Sequence, residues 1–170
     1  QHYAPDCANE IEGIAAGARL EPWKIFLLNG RTEILNSKIA ECTTIYFKQH
    51  AILAQNWDWI ENLEALSVII HHRRSDGPDY ITFSEAGMVG KIGMNQEGLG
   101  VGLNILFCPH QLSGLSTHIA CRDVLDATAL ETARQRLIQS DMGKASHILI
   151  GDSFGSCASF EFMGETRHEV

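Results

Sequence analysis

Positive charge is scarce in this chain. Its 13 Lys and Arg residues stand against 21 Asp and Glu, for a formal net charge of −8 at pH 7. Broad nucleic-acid binding needs concentrated positive charge, so no nucleic-acid partner is expected. The one basic cluster, Arg73-Arg74 behind His71-His72, reads as the solvated end of a strand. Long apolar runs are missing too. None approaches the roughly 20 residues that a membrane span requires, and no membrane partner is expected. Internal repeats and low-complexity linkers are also absent. The 170 residues read as a single domain, long enough to bury a core.

Paired cysteines are lacking as well. Cys7, Cys42, Cys108, Cys121 and Cys157 make an odd count with no CxxC pair. That argues against a disulfide framework and against a cysteine-based zinc site. The expectation is a reduced intracellular protein, cytoplasmic or organellar, with Cys7, Cys108, Cys121 and Cys157 packed as small hydrophobes. His71-His72 and Cys108-Pro109-His110 lack the spacing that gathers metal ligands, so no metal is expected. Gly87-Met88-Val89-Gly90-Lys91 is too short for a phosphate loop, and Ile92 stands where a Ser or Thr would bind magnesium. No Gly-x-Ser-x-Gly elbow occurs. Cys42 lacks the local signature of a papain-type nucleophile. The opening Gln1-His2-Tyr3 carries neither an initiator Met nor a signal pattern, and the expectation is a sequence that begins inside a longer gene product.

What is present is a regular alternation of elements. Asn9 with Glu12 spells a capping box for a first helix with Ile11, Ile14, Ala15 and Ala18 on one face, ending near Arg19. Pro22 suits the first turn of a second helix, with Trp23, Phe26, Leu27 and Ile34 as its apolar face. Strands follow over 66–70, 80–83, 88–94 and 99–106, with turn signals at Ser75-Asp76-Gly77-Pro78 and Asn95-Gln96-Glu97-Gly98. Glycines inside those strands imply close backbone approach or bulges. A helix is predicted over 118–127. Thr128 with Glu131 spells a second capping box, opening a helix to about Ser140. Strands over 146–150 and 156–162, around a turn at Asp152-Ser153, finish the chain. Helices, strands, helices and strands again imply a layered α+β fold.

Among these elements the stretch from Cys42 to Asp58 concentrates the chemistry. Thr44 and Tyr46 alternate with Ile45 and Phe47 as in a half-buried strand. Lys48-Gln49-His50 is a polar turn, and Ala51-Ile52-Leu53-Ala54 restarts the apolar pattern. An antiparallel hairpin returns the end of its second strand to the start of its first, so Cys42 and Asp58 are expected as neighbours. Asp58 lies between Trp57 and Trp59. An acid enclosed by aromatics needs hydrogen-bond partners to offset its burial, and such acids cluster at functional sites.

Leu28-Asn29-Gly30-Arg31-Thr32-Glu33-Ile34, Cys42-Thr43-Thr44, Gln55-Asn56-Trp57-Asp58-Trp59, Glu85-Ala86-Gly87, Gly90-Lys91-Ile92-Gly93 and Gly98-Leu99-Gly100-Val101-Gly102-Leu103-Asn104 occur in order. Together they resemble the acyl-coenzyme A:6-aminopenicillanic acid acyltransferase family, which includes the β-alanyl-dopamine hydrolases. The resemblance runs from about residue 8 to about residue 162. It implies a four-layer αββα N-terminal nucleophile hydrolase sandwich, incomplete in this chain. It implies self-cleavage between Glu41 and Cys42, dividing a pre-nucleophile segment, 1–41, from a catalytic chain beginning at 42. The two self-cleaved chains would then stay associated. Before cleavage the thiol attacks its own preceding carbonyl. Afterwards the freed α-amino group, with an ordinary pKa near ~8, serves as base for the thiol.

By the same resemblance Cys42 is the nucleophile, Asp58 orients its surroundings and Asn104 supplies a side-chain donor to the oxyanion. Thr43 and Thr44 support the cysteine through hydrogen bonds. The implied substrate is a small amide or an acyl thioester, with coenzyme A thioesters among the possibilities and no cofactor. Resolution of the acyl-enzyme by water gives a hydrolase, and resolution by an amine gives a transferase. Glu41 departs from the family, since the penicillin enzyme has glycine there. Family members also run well beyond this length, which implies a fragment lacking the C-terminal half. The competing reading is a non-catalytic or truncated member that binds a small molecule.

Overall fold

A computed structural model describes residues 4–35, 42–58 and 60–170. The chain opens with helices α1 (Pro5–Ala18), α2 (Pro22–Asn29) and α3 (Arg31–Leu35), followed by strands β1 (Thr43–Phe47) and β2 (Ile52–Asn56). A 3₁₀ turn over Glu61–Leu66 leads to β3 (Ser67–His72), β4 (Tyr80–Glu85), β5 (Ile92–Asn95) and β6 (Gly100–Ile105). Helices α4 (Thr117–Leu125) and α5 (Leu130–Ile138) precede β7 (Met142–Gly151), β8 (Cys157–Gly164) and β9 (Thr166–Glu169). This is an α+β fold. Among the described residues, no helix is long and apolar enough to cross a membrane.

Strands β3 to β9 form one antiparallel sheet in simple sequence order, and β1 with β2 forms a separate hairpin. Alternation along β6 explains how the layers stack. Val101, Leu103 and Ile105 point to one face and pack with Ala120, Cys121, Val124 and Leu125 of α4 in the main core. Gly100, Gly102 and Asn104 point to the other face, where the hairpin lies. A Cβ on Gly102 would collide with the Thr44 methyl and stand 2.9 Å from Gln55 Oε1; one on Gly151 would stand 2.5 Å from the Tyr46 ring. The glycines inside the strands therefore do mark close approach. They let the hairpin lie flat on β6 and β7. Helices, seven-stranded sheet and hairpin make three layers, and the hairpin's outer face presents Ile45, Phe47 and Ile52 to solvent.

The helix starts differ from their sequence signals. Pro5 opens α1 after Ala4, with no side-chain cap, so Asn9 and Glu12 lie inside the helix. Proline's fixed φ is pre-organised for that position, and it overrides the capping box further on. Arg19 closes α1 in the left-handed region at φ 57°. Ala129, again without a side-chain cap, precedes α5, and Glu131 accepts bonds from Arg134 and Gln135 rather than capping with Thr128.

The second helix breaks at Gly30, and its predicted apolar face turns outward: Trp23, Leu27 and Ile34 are exposed. A buried polar residue decides its orientation. Asn29 donates to Gly87 O at 3.0 Å and accepts from Val89 N at 3.0 Å, so Asn29, Ile25 and Thr32 face inward. The strand expected over 88–94 begins only at Ile92, because the Val89 amide donates to Asn29 Oδ1 and the Lys91 amide to Thr82 Oγ1 rather than to a strand backbone. β7 starts at Met142 with an irregular register up to Ser146, and β9 lies beyond the last predicted strand.

Candidate active site

The hairpin register pairs Thr43 with Asn56 and Thr44 with Gln55, which sets Cys42 beside the residues that follow β2. Cys42 is half-buried, with its Sγ 3.9 Å from the Asp58 carbonyl oxygen. Asn56 ties the two strand ends together. Its Oδ1 accepts from the Thr43 amide at 2.5 Å, and its Nδ2 donates to Asp58 Oδ2 at 2.8 Å. Gln55 fastens the hairpin to the sheet, donating to Leu103 O at 2.6 Å and accepting from Leu103 N at 2.9 Å. The expected neighbourhood of Cys42 and Asp58 is present.

Asp58 is exposed rather than enclosed by aromatics. The extended chain sends successive side chains to opposite sides. Trp57 turns inward, and Asp58 therefore turns out. Glu41 and Trp59 lie outside the described residues.

Burial pushes the Cys42 thiol above its ordinary pKa of 9.0. Gln55 and Lys91 pull it down and the Asp58 carboxylate pushes it up, leaving it raised. As it stands the thiol is protonated at neutral pH. Cys7 and Cys121 are buried and pushed up to about 11 and about 12, chiefly by desolvation. Cys108 is buried and Cys157 half-buried.

Asn104 belongs to a polar chain running between the layers. Thr44 Oγ1 donates to Asn104 Oδ1 at 2.7 Å, and Asn104 Nδ2 lies 3.1 Å from His147 Nδ1. His147 Nε2 in turn lies 2.8 Å from Ser159 Oγ. Burial lowers the His147 pKa, so its ring is neutral. In the tautomer with the proton on Nε2, Nδ1 accepts from the amide and Nε2 donates to Ser159 Oγ. With its oxygen toward the Thr44 hydroxyl and its nitrogen toward His147, the Asn104 amide has one hydrogen left over. Asn104 is thus linked to β1 through Thr44, two residues after Cys42.

Sequence reasoning missed the charges behind Trp57. Lys91 is fully buried, is paired with Glu85, and has its Nζ 4.1 Å from the centroid of the Trp57 ring. Arg31 Nη1 stands 2.5 Å from the other Glu85 oxygen. Burial holds Lys91 down at about 8, against the pull of Glu85. Burial also pushes Glu85 up, but Arg31 and Lys91 outweigh it and leave the carboxyl below its ordinary 4.5. A cavity of about 550 Å³ opens beside this group, lined among others by Trp57, Asp58, Ser67, Phe83 and Glu85. The available signal was Lys91 set between Gly90 and Ile92 in a run of small and apolar residues. Among the described residues, no group of three or more His, Cys, Asp or Glu is placed to hold a metal ion.

The α+β sheet-and-hairpin sandwich is the class that the motifs anticipate. The sequence profile of the acyl-coenzyme A:6-aminopenicillanic acid acyl-transferase family matches residues 47–169, a span holding Asp58 and Asn104 and starting five residues after Cys42. The chain belongs to this family. It is 34% identical over 161 residues to the 40 kDa form of the acyl-coenzyme A:6-aminopenicillanic-acid-acyltransferase of Emericella nidulans, covering 88% of this chain and 44% of that relative. The chain thus spans less than half the length of that curated relative. Among solved structures it is similar to penicillin V acylase from Agrobacterium tumefaciens, at 20% identity and a TM-score of 0.46, covering 55% of this chain and 32% of that one.

Proposed function

We propose that this chain carries the nucleophile of a self-processing thiol enzyme that transfers or hydrolyses acyl groups, with Cys42 as the attacking residue. The observation that carries the reading is the position of Cys42 within a family of acyl-transferases. It heads the first strand of the hairpin, half-buried, against the Asp58 carbonyl and next to the cavity that Trp57 and Asp58 line.

In processing, the thiol sulfur adds to the Glu41 carbonyl, the Glu41–Cys42 C–N bond breaks, and the Cys42 nitrogen takes up the proton as a free amine. Water then hydrolyses the thioester and regenerates the thiol. In turnover that amine takes the thiol proton, and the thiolate attacks the carbonyl of a small amide or an acyl thioester such as a coenzyme A ester. The spare hydrogen of Asn104 is the proposed oxyanion donor, a role worth roughly 3–4 kcal/mol in comparable sites. Asn56 and Asp58 hold the entry to β1. The leaving amine or thiol departs with a proton from the α-ammonium, and water or an amine resolves the acyl-enzyme.

A thiol-directed acyl probe tests this on the full chain. Labelling of Cys42, lost in Cys42→Ala, is the expected result. Labelling chiefly at Cys108, Cys121 or Cys157, or of none, overturns it and favours a member that binds a small molecule without chemistry.

A further inference from the structure

The role proposed for Asn104 asks more than its own side chain supplies. A primary amide has nearly the same shape turned end for end, so its hydrogen-bond partners, not packing, decide which end is nitrogen. One partner is Thr44, whose hydroxyl serves as donor or acceptor and suits either end. The other is His147. Strand register sets that contact, because Asn104 of β6 lies directly opposite His147 of β7. Ser159 of β8 then meets the far nitrogen of the ring, so the polar chain crosses neighbouring strands on the face that the hairpin covers. Packing alone does not explain a histidine here. Leu149, two residues on along the same face of β7, is buried and apolar. The nucleophile lies on this side as well. The alternation of β1, half-buried at Thr44 and exposed at Thr43, runs on to half-buried Cys42. Cys42 and Thr44 therefore face the same way, roughly 7 Å apart along the extended chain.

We propose, building on the nucleophile and oxyanion readings above, that His147 is a positioning residue for Asn104: held at one nitrogen by Ser159, it fixes with the other which way the Asn104 amide faces, and so keeps the spare N–H turned to the oxyanion at Cys42. A neutral imidazole has one donor and one acceptor, so its two nitrogens take opposite roles. With the proton on Nε2, where Ser159 Oγ receives it at 2.8 Å, Nδ1 accepts. Only the nitrogen end of the amide satisfies an acceptor, and it stands 3.1 Å away. The oxygen end is then left to the Thr44 hydroxyl. Without the ring, Thr44 alone would tolerate both orientations of the amide.

The test is the ratio of two rates at Cys42, read by mass spectrometry on the full chain, with circular dichroism as the folding check. Acylation by p-nitrophenyl acetate passes through an oxyanion, and alkylation by iodoacetamide does not. His147→Leu is expected to slow acylation about tenfold and leave alkylation unchanged, against roughly 100-fold or more for loss of the donor itself in Asn104→Ala. His147→Asn, whose carbonyl accepts in place of Nδ1, is expected to restore most of the rate. A merely structural role would move both reactions together or neither. Added to Asn104→Ala, His147→Leu is expected to cost nothing more, because the amide it orients is gone. An unchanged ratio in folded His147→Leu, or a further loss of the same size in the double variant, overturns the proposal. A wild-type ring protonated at Nδ1 in its proton–nitrogen NMR spectrum also overturns it, and that arm needs no variant to fold. Failure of the underlying readings looks different. A wild type that takes no acyl group at Cys42 refutes the nucleophile, and Asn104→Ala with the wild-type ratio refutes the oxyanion donor, in both cases before His147 is altered.

Discussion

At the scale of single residues, the buried pair Lys91–Glu85 has consequences for stability that are separate from any chemistry. Lys91 has a folded pKa of about 8 against an ordinary 10.5. The unfolded chain therefore binds more protons between those values, and this group makes folding more favourable as pH rises from about 8 to about 10.5. Below about 8 its cost is fully present. Glu85 works the other way: its lowered pKa gives stability above the ordinary 4.5 that is lost as pH falls through the folded value. Urea midpoints from pH 7 to 10 check the first sign. The stability of wild type relative to Lys91→Met should increase across pH 8 to 10, and a constant difference contradicts the assignment. Glu85→Gln leaves the buried Lys91 without its anion and should cost about 3–5 kcal/mol in the same assay. Little of this was legible in the sequence. Burial of a lysine depends on which strands surround it, whereas the candidacy of Cys42 needed only its place in a motif.

At the scale of elements, docking of the hairpin is the event that assembles the site. It depends on absent side chains and on one amide clamp. Gly102→Ala places a methyl group against Thr44 and Gln55 and should destabilise by about 1–3 kcal/mol, read from the denaturation midpoint. Gln55→Leu strands the amide and carbonyl of Leu103, at about 1–3 kcal/mol for each unsatisfied group. Hydrogen exchange should show the amides of β1 and β2 losing protection before those of β7 in that variant. Equal loss in both would mean that the hairpin does not dock as a unit. The hairpin was readable in advance, since period-two alternation and a polar turn fix both its strands and its register. The helix starts were not. Pro5 opened α1 before the apparent capping box, and Asn29 turned α2 so that Trp23 and Leu27 face out, a choice made by the loop at 87–89 rather than by helical periodicity.

At the scale of the whole molecule, the layering was readable because the order of elements constrains it, and the α+β class follows from that order. Two features needed the three-dimensional fold. β9 pairs with β8 through only four residues, too short a pattern to stand out in Thr166-Arg167-His168-Glu169. Asp58 faces solvent because Trp57 takes the inward position. The exposed outer face of the hairpin, with Ile45, Phe47 and Ile52, belongs to a chain that spans less than half of its curated relative. Self-cleavage therefore gives the sharpest test, since it requires only the strand-head thiol and the bond before it. Intact-mass spectrometry of freshly folded protein, beside Cys42→Ala, reads it directly. The account predicts two fragments meeting at Glu41–Cys42 in the wild type and one uncut chain in the variant. A single chain of full mass in both samples contradicts the assignment of Cys42 as an N-terminal nucleophile.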